Sequence, residues 1–141
     1  MTHIFRTLES ILIHPFTYAE YLGGWKYTYT QSKLANDQSP SPLNDEFVTF
    51  RINVDRGTYT LRVSTHTHNA AGIMDIDLDG VEIHSVDLYS VSVVNPYIVE
   101  KTGIIMNSGI RTLKFRVDGK NTDSTGYDMA FYTIALIKTS V

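Results

Sequence analysis

Three carboxylates recur at Asp75, Asp77 and Asp79, directly before Gly80. Carboxylates are hard oxygen donors, and this spacing matches the opening of a calcium-binding loop. The EF-hand pattern also requires a bidentate Glu at its twelfth position, which here is Val86, so that signature is broken. A strand accounts for the same residues without an ion. Met74, Ile76 and Leu78 alternate with the acids, which places the apolar set toward a core and the acids toward water. Asp79-Gly80 then makes a two-residue hairpin turn, in which both central residues need positive φ. Asp75, Asp77 and Asp79 are the candidate ligand set if a cation binds, and no cofactor is otherwise expected.

His66 and His68 stand two apart, and His84 falls in the next hairpin. Neutral imidazole is a common metal ligand. No carboxylate accompanies these residues at a fixed spacing, so exposed or interface histidines are the expectation. Trp25, Tyr27 and Tyr29 occupy alternate positions and would share one face of a strand. Their rings suit stacking on the C–H face of a pyranose, and equally suit a core or a subunit interface. Tyr89 and Tyr97 bracket a loop of Ser, Val and Asn, with the same choice of uses. Catalysis finds little support. The chain has no G-x-S-x-G elbow, no zinc-protease motif, no phosphate-cradling glycine loop and no carboxylate pair set against an apolar pocket. A non-enzymatic protein is expected.

The elements that must carry these residues are strands. Val48, Phe50, Ile52 and Val54 alternate with polar residues, as do Tyr59, Leu61 and Val63 beyond a turn at Arg56-Gly57, and the two runs read as a hairpin. Val81 and Ile83 carry the return strand after Asp79-Gly80. Residues 97–106 form a further strand, Leu113, Phe115 and Val117 another, and residues 127–137 the last. Residues 31–45, with Pro40 and Pro42, read as a loop. Eight or nine short strands with turns about every ten residues predict an all-β antiparallel sandwich or barrel. The N-terminus differs. Ile4, Leu8, Ile11 and Leu12 recur at helical spacing before Pro15, so a short N-terminal helix or extended arm is expected. It would close one end of the sandwich or reach a neighbouring subunit, with Ile4, Phe5, Leu8, Ile11 and Leu12 as contact residues.

Bulk properties narrow the partners. A chain of 141 residues can bury a core, and 43% hydrophobic content is enough to build one. Charged residues make up 19%, against about 25% in typical soluble domains. The formal net charge of −3 and the lack of a basic stripe point away from nucleic acid and anionic membranes. There is no cysteine, so disulfides and thiolate metal sites are excluded. No apolar run near the N-terminus suits a signal peptide or a membrane helix, and Met1 reads as the start of a protein made without export.

Five segments in order resemble a known pattern: GTYTLRV (57–63), IDLDG (76–80), VDLYS (86–90), TGIIMNSGIRTLKFRVDGKN (102–121) and STGY (124–127), before a closing apolar strand. They are similar to carbohydrate-binding modules of families 6 and 35, within the galactose-binding-like superfamily. GGW at 23–25 is similar to the entry of this fold in virion-associated versions. The resemblance covers about residues 23–138. It implies a jelly-roll domain over residues 23–141, with residues 1–22 as a separate arm. Stand-alone copies resemble structural proteins of tailed phages. The resemblance therefore implies a capsid decoration (cement) protein, made in the host cytoplasm and placed on the capsid surface of the virion. It would bind the major capsid protein and itself, as a homo-oligomer such as a homotrimer, and stabilise the assembled shell by mass action. The alternative it implies is a module that recognises host surface glycans, from a tail or the capsid exterior.

Overall fold

The alternating runs become strands of two facing sheets. In the computed structural model, which describes residues 10–37 and 41–141, the chain runs through β1 (Ser10–Ile13), a 3-10 turn (Pro15–Thr17), β2 (Tyr21–Leu22), β3 (Lys26–Thr28) and β4 (Lys33–Ala35). It continues through β5 (Phe47–Val54), β6 (Gly57–Thr67), β7 (Ile73–Leu78), β8 (Val81–Asp87), β9 (Val94–Met106), β10 (Gly109–Val117), β11 (Ala130–Phe131) and β12 (Thr133–Ser140). One sheet has the order β1-β12-β6-β9, and the other β2-β5-β10-β7-β8. Their ladders are antiparallel. A third, small sheet of order β11-β4-β3 completes the strand set.

Period-two alternation sends every second side chain inward. Val48, Phe50, Ile52 and Val54 of β5 face Leu61 and Val63 of β6 and Ile134 and Leu136 of β12 within one buried cluster. Aromatic rings run through it in sequence. Trp25 stacks on Phe131 with centroids 5.8 Å apart, Phe131 meets Phe115 at 4.7 Å, and Phe115 meets Phe50 edge-on at 6.0 Å. Edge and offset contacts of this kind add to the area they bury.

Several expectations are corrected. β5 and β6 are not a hairpin: β5 pairs with β10 and β2, whereas β6 pairs with β12 and β9. The chain crosses between sheets at Asp55-Arg56, as a jelly roll requires. No helix forms over the described part of the N-terminal segment. Residues 10–13 are strand, with Ser10 opposite Ile137 and Ile13 opposite Ile134. Tyr21 and Leu22 likewise pair with Val48 and Phe47, so residues 10–22 are woven into the sheets. The free edge of β12 decides this outcome: its backbone groups need partners that a helix could not offer. Within the supposed loop 31–45, Lys33–Ala35 forms β4, with Leu34 and Ala35 fully buried. The Asp79-Gly80 turn forms as expected, with φ of 50° and 83°.

Candidate functional site

Aromatic side chains gather where the 3-10 turn meets the β3–β4 hairpin. Pro15 starts that turn with a preset φ. The Nδ1 of His14 accepts a hydrogen bond from the Phe16 amide at 3.1 Å, which holds Phe16 facing the hairpin. The hairpin closes through Gln31 N donating to Thr28 O and Ser32 N to Tyr29 O, both at 3.2 Å. Phe16 lies 5.9 Å from both Tyr27 and Tyr29, and these two rings meet edge-on at 4.9 Å. His14 stands 5.2 Å from Tyr27. Tyr27 is half-buried against the core, while Phe16 is 53% exposed and Tyr29 71%. Beside them, Lys26, Tyr27, Thr28, Tyr29, Thr30 and Gln31 line a shallow groove of about 490 Å³. Exposed ring faces next to hydroxyl, amide and ammonium groups can take a ligand with one apolar face and a polar rim. A sugar ring has both.

The proposed aromatic row therefore divides. Trp25 is 6% exposed, and its Nε1 donates to Leu22 O at 3.0 Å, so it is a core residue and offers no ligand platform. β3 ends at Thr28, and the turn lifts Tyr29 off the surface that buries Trp25. Phe16 and His14 were missed, because proximity to Tyr27 comes from the fold. Tyr89 lies elsewhere, half-buried and bridged to His68, with its amide held by Asp87 Oδ1 at 3.0 Å. Of the candidate contact residues, Ile4, Phe5 and Leu8 lie outside the described residues. Ile11 packs against the core, and Leu12 points outward at 73% exposure.

The three aspartates do not act as one set. Asp79 ties its turn to β10, accepting from Thr112 N at 2.8 Å and Arg111 Nη1 at 3.1 Å. Asp77 pairs in register with Lys114. Asp75 does not face water: it is 2% exposed, and its Oδ2 lies 3.0 Å from Arg116 Nη2. Strand alternation had put it on the outer face correctly, but neighbouring side chains cover that face.

His66 and His68 share a face as their spacing predicts, with rings 4.9 Å apart. His66 Nδ1 lies 3.0 Å from the Tyr132 hydroxyl, which also accepts from Asn95 Nδ2 at 3.1 Å. His68 Nε2 is 3.6 Å from Asp128 Oδ2. Burial, then the charges of His68 and Lys33, lower the His66 pKa to about 4, so this ring is neutral at pH 7. Burial raises the Asp128 carboxyl above its ordinary value. A carboxylate does accompany these histidines, brought from 60 residues downstream by the fold, where no spacing rule could find it.

No family model matches the chain, and no curated protein matches it. Solved structures do. A xanthan lyase from Paenibacillus superposes with a TM-score of 0.69 at 16% identity, over 91% of this chain and 13% of that enzyme. The chain thus spans a small part of that protein. The CBM36-1 domain of a multidomain xylanase, from the hindgut metagenome of Trinervitermes trinervoides, gives 0.64 at 12% identity over 96% of this chain and 100% of the module. The module CBM6cm-2 from Cellvibrio mixtus lichenase 5A, solved with cellotriose, gives 0.62 at 10% identity over 95% and 99%. The chain has the jelly-roll fold of carbohydrate-binding modules of the CBM36 and CBM6 type.

Proposed function

We propose that this chain is a non-catalytic carbohydrate-binding domain that seats a sugar on the shelf formed by Phe16 and Tyr29. The observation that carries the reading is the pair of adjacent, solvent-facing rings beside a groove edged with polar side chains. The fold likeness to a module solved with cellotriose supports it. The likeness to carbohydrate-binding modules favours this glycan alternative over capsid decoration, the first expectation from the sequence. Titration calorimetry against soluble xylo-, cello- and mannooligosaccharides tests it. An exposed stacking ring is worth about 0.5–1.5 kcal/mol. Tyr29→Ala should therefore weaken binding by up to about tenfold, since 1.4 kcal/mol is one decade. Its melting temperature should stay unchanged. Full affinity in a Phe16→Ala, Tyr29→Ala double variant would remove the shelf from the account.

A second reading, a shell-binding subunit on a virion, draws on a different surface. Val91, Val93, Val94, Ile98 and Ile105 on and before edge strand β9 are all at least 45% exposed. Apolar side chains gathered along one edge suit a protein partner, either another copy of the chain or a major capsid protein. Light scattering of the protein alone and with undecorated phage shells tests this. A monomer that leaves shells bare speaks for the glycan reading alone.

A further inference from the structure

A group of carboxylates on the outer face of the five-stranded sheet is not among the side chains that line the groove beside Phe16 and Tyr29. Asp75 on β7, Glu82 on β8 and Asp118 just beyond β10 each bring one oxygen within 4.8 Å of the others. The Asp79-Gly80 turn sets this up. It pairs Asp77 with Glu82, which puts Glu82 on the same face as Asp75. A bulge at Ile76/Asp77 then places Ser85, and not His84, opposite Asp75. No imidazole cation stands there to neutralise it.

Asp75 is the unusual member. It is 2% exposed, and its Oδ1 is buried with no hydrogen-bond partner among the described residues. Its Oδ2 is taken by Arg116. Arg116 cannot do more, because its Nη1 already meets Asp45 at 3.0 Å and Asp118 at 3.4 Å. One guanidinium is thus shared by three carboxylates, and Asp77 and Glu82 add two more.

A buried anionic oxygen without a donor is satisfied by a proton or by a metal ion. A proton held between Asp75 and Glu82 would do nothing for Asp118, whose contact with Arg116 Nη1 is long at 3.4 Å. An ion uses all three. Calcium takes oxygens at about 2.3–2.6 Å, so two of its ligands can stand up to roughly 4.6–5.2 Å apart. Magnesium, at about 2.0–2.1 Å, demands a tighter set. We propose that Asp75, Glu82 and Asp118 form a calcium site, with Asp75 Oδ1 as its buried anchor and water completing the shell. The ion would bind three strands, β7, β8 and the end of β10, across one face.

The test uses protein stripped with chelator and titrated with calcium or magnesium chloride at constant ionic strength, followed by calorimetry and melting temperature. One calcium ion should bind per chain, with half-saturation near 0.1–1 mM, roughly the range of extracellular calcium modules. The melting temperature should rise with calcium and less with magnesium. Glu82→Gln and Asp118→Asn change exposed side chains, so both variants should fold. Each should weaken calcium binding by about tenfold or more, while Tyr29→Ala leaves it intact. A wild-type protein that shows neither heat nor melting shift up to about 10 mM calcium, a decade beyond that range, overturns the site. Unchanged affinity in the Glu82→Gln, Asp118→Asn double variant overturns it as well, by placing the ion elsewhere.

Discussion

Replacing Asn36 by Ala examines how the small sheet is tied to the rest of the molecule. Asn36 is fully buried and spends its whole carboxamide on three partners. Its Nδ2 donates to Glu46 Oε1 and to Tyr127 O, both at 3.1 Å, and its Oδ1 accepts from Met129 N at 2.7 Å. These bonds join the end of β4 to the segment leading into β11 and to the start of β5. Asn36→Ala strands the Met129 amide and the Tyr127 carbonyl, and it takes a donor from a buried carboxylate. Each stranded buried group costs about 1–3 kcal/mol. The total is about 3–5 kcal/mol, falling to about 2 kcal/mol if a water fills the vacated space. Urea unfolding followed by Trp25 fluorescence measures it. Asn36→Asp supplies the control. It keeps an acceptor for Met129 but turns an anionic oxygen toward Glu46 and the Tyr127 carbonyl. Its folded-state pKa must then lie above the unfolded value of about 3.9. The penalty is therefore small below that pH and grows as pH rises through the raised pKa. A loss below about 1 kcal/mol for Asn36→Ala would refute the reasoning. So would an Asn36→Asp penalty independent of pH.

Two further outcomes follow from other sites. His66 has a folded-state pKa of about 4, below its unfolded value. The unfolded chain therefore takes the proton first, and stability falls as pH drops from about 6.5 to 4. The loss is about 1–2 kcal/mol once solvent screening of the half-exposed ring is allowed for. Asp128, raised by burial, acts in the opposite sense, so the comparison is between wild type and His66→Gln, whose pH curve should be flatter by that amount. Gly23 has φ of +111°, and an added Cβ would overlap the Glu46 side chain. Gly23→Ala should cost about 1–3 kcal/mol in thermal melts. It should also be non-additive with Asn36→Ala, since both changes act through Glu46. Strict additivity would count against a shared network.

Most strands could be read from the chain, and so could the β7–β8 hairpin with its Asp79-Gly80 turn, but the pairing of β5 and β6 could not. The alternation at 48–54 and 59–63 gave both runs their inward faces, yet it carries no information about neighbours. β5 and β6 therefore read as a hairpin when they belong to opposite sheets. At the N-terminus, Ile11 and Leu12 fit a helical spacing, but the open edge of β12 settles that segment as strand. β4 is only three residues long, too short for a periodic signal, and its burial depends on a far segment, β11. The same limit governs the sites. Tyr27 and Tyr29 could be singled out by type and spacing, whereas Phe16 and His14 join them only through the turn at Pro15. Alternation assigned Asp75 to the outer face but could not register that Arg116, from a strand some forty residues later, covers it.

The place of β12 has a consequence for how the molecule is made. β12 lies between β1 and β6, and it follows all the other described strands in sequence. While the chain emerges from the ribosome, the four-stranded sheet has a gap beside its centre. β1 has no partner until residues 133–140 exist, and β6 is paired only on its β9 side. Unpaired strand edges of this kind recruit other chains. The four-stranded sheet is thus completed by the insertion of β12 between two waiting edges, so shielding of the nascent chain matters until residues 133–140 have emerged.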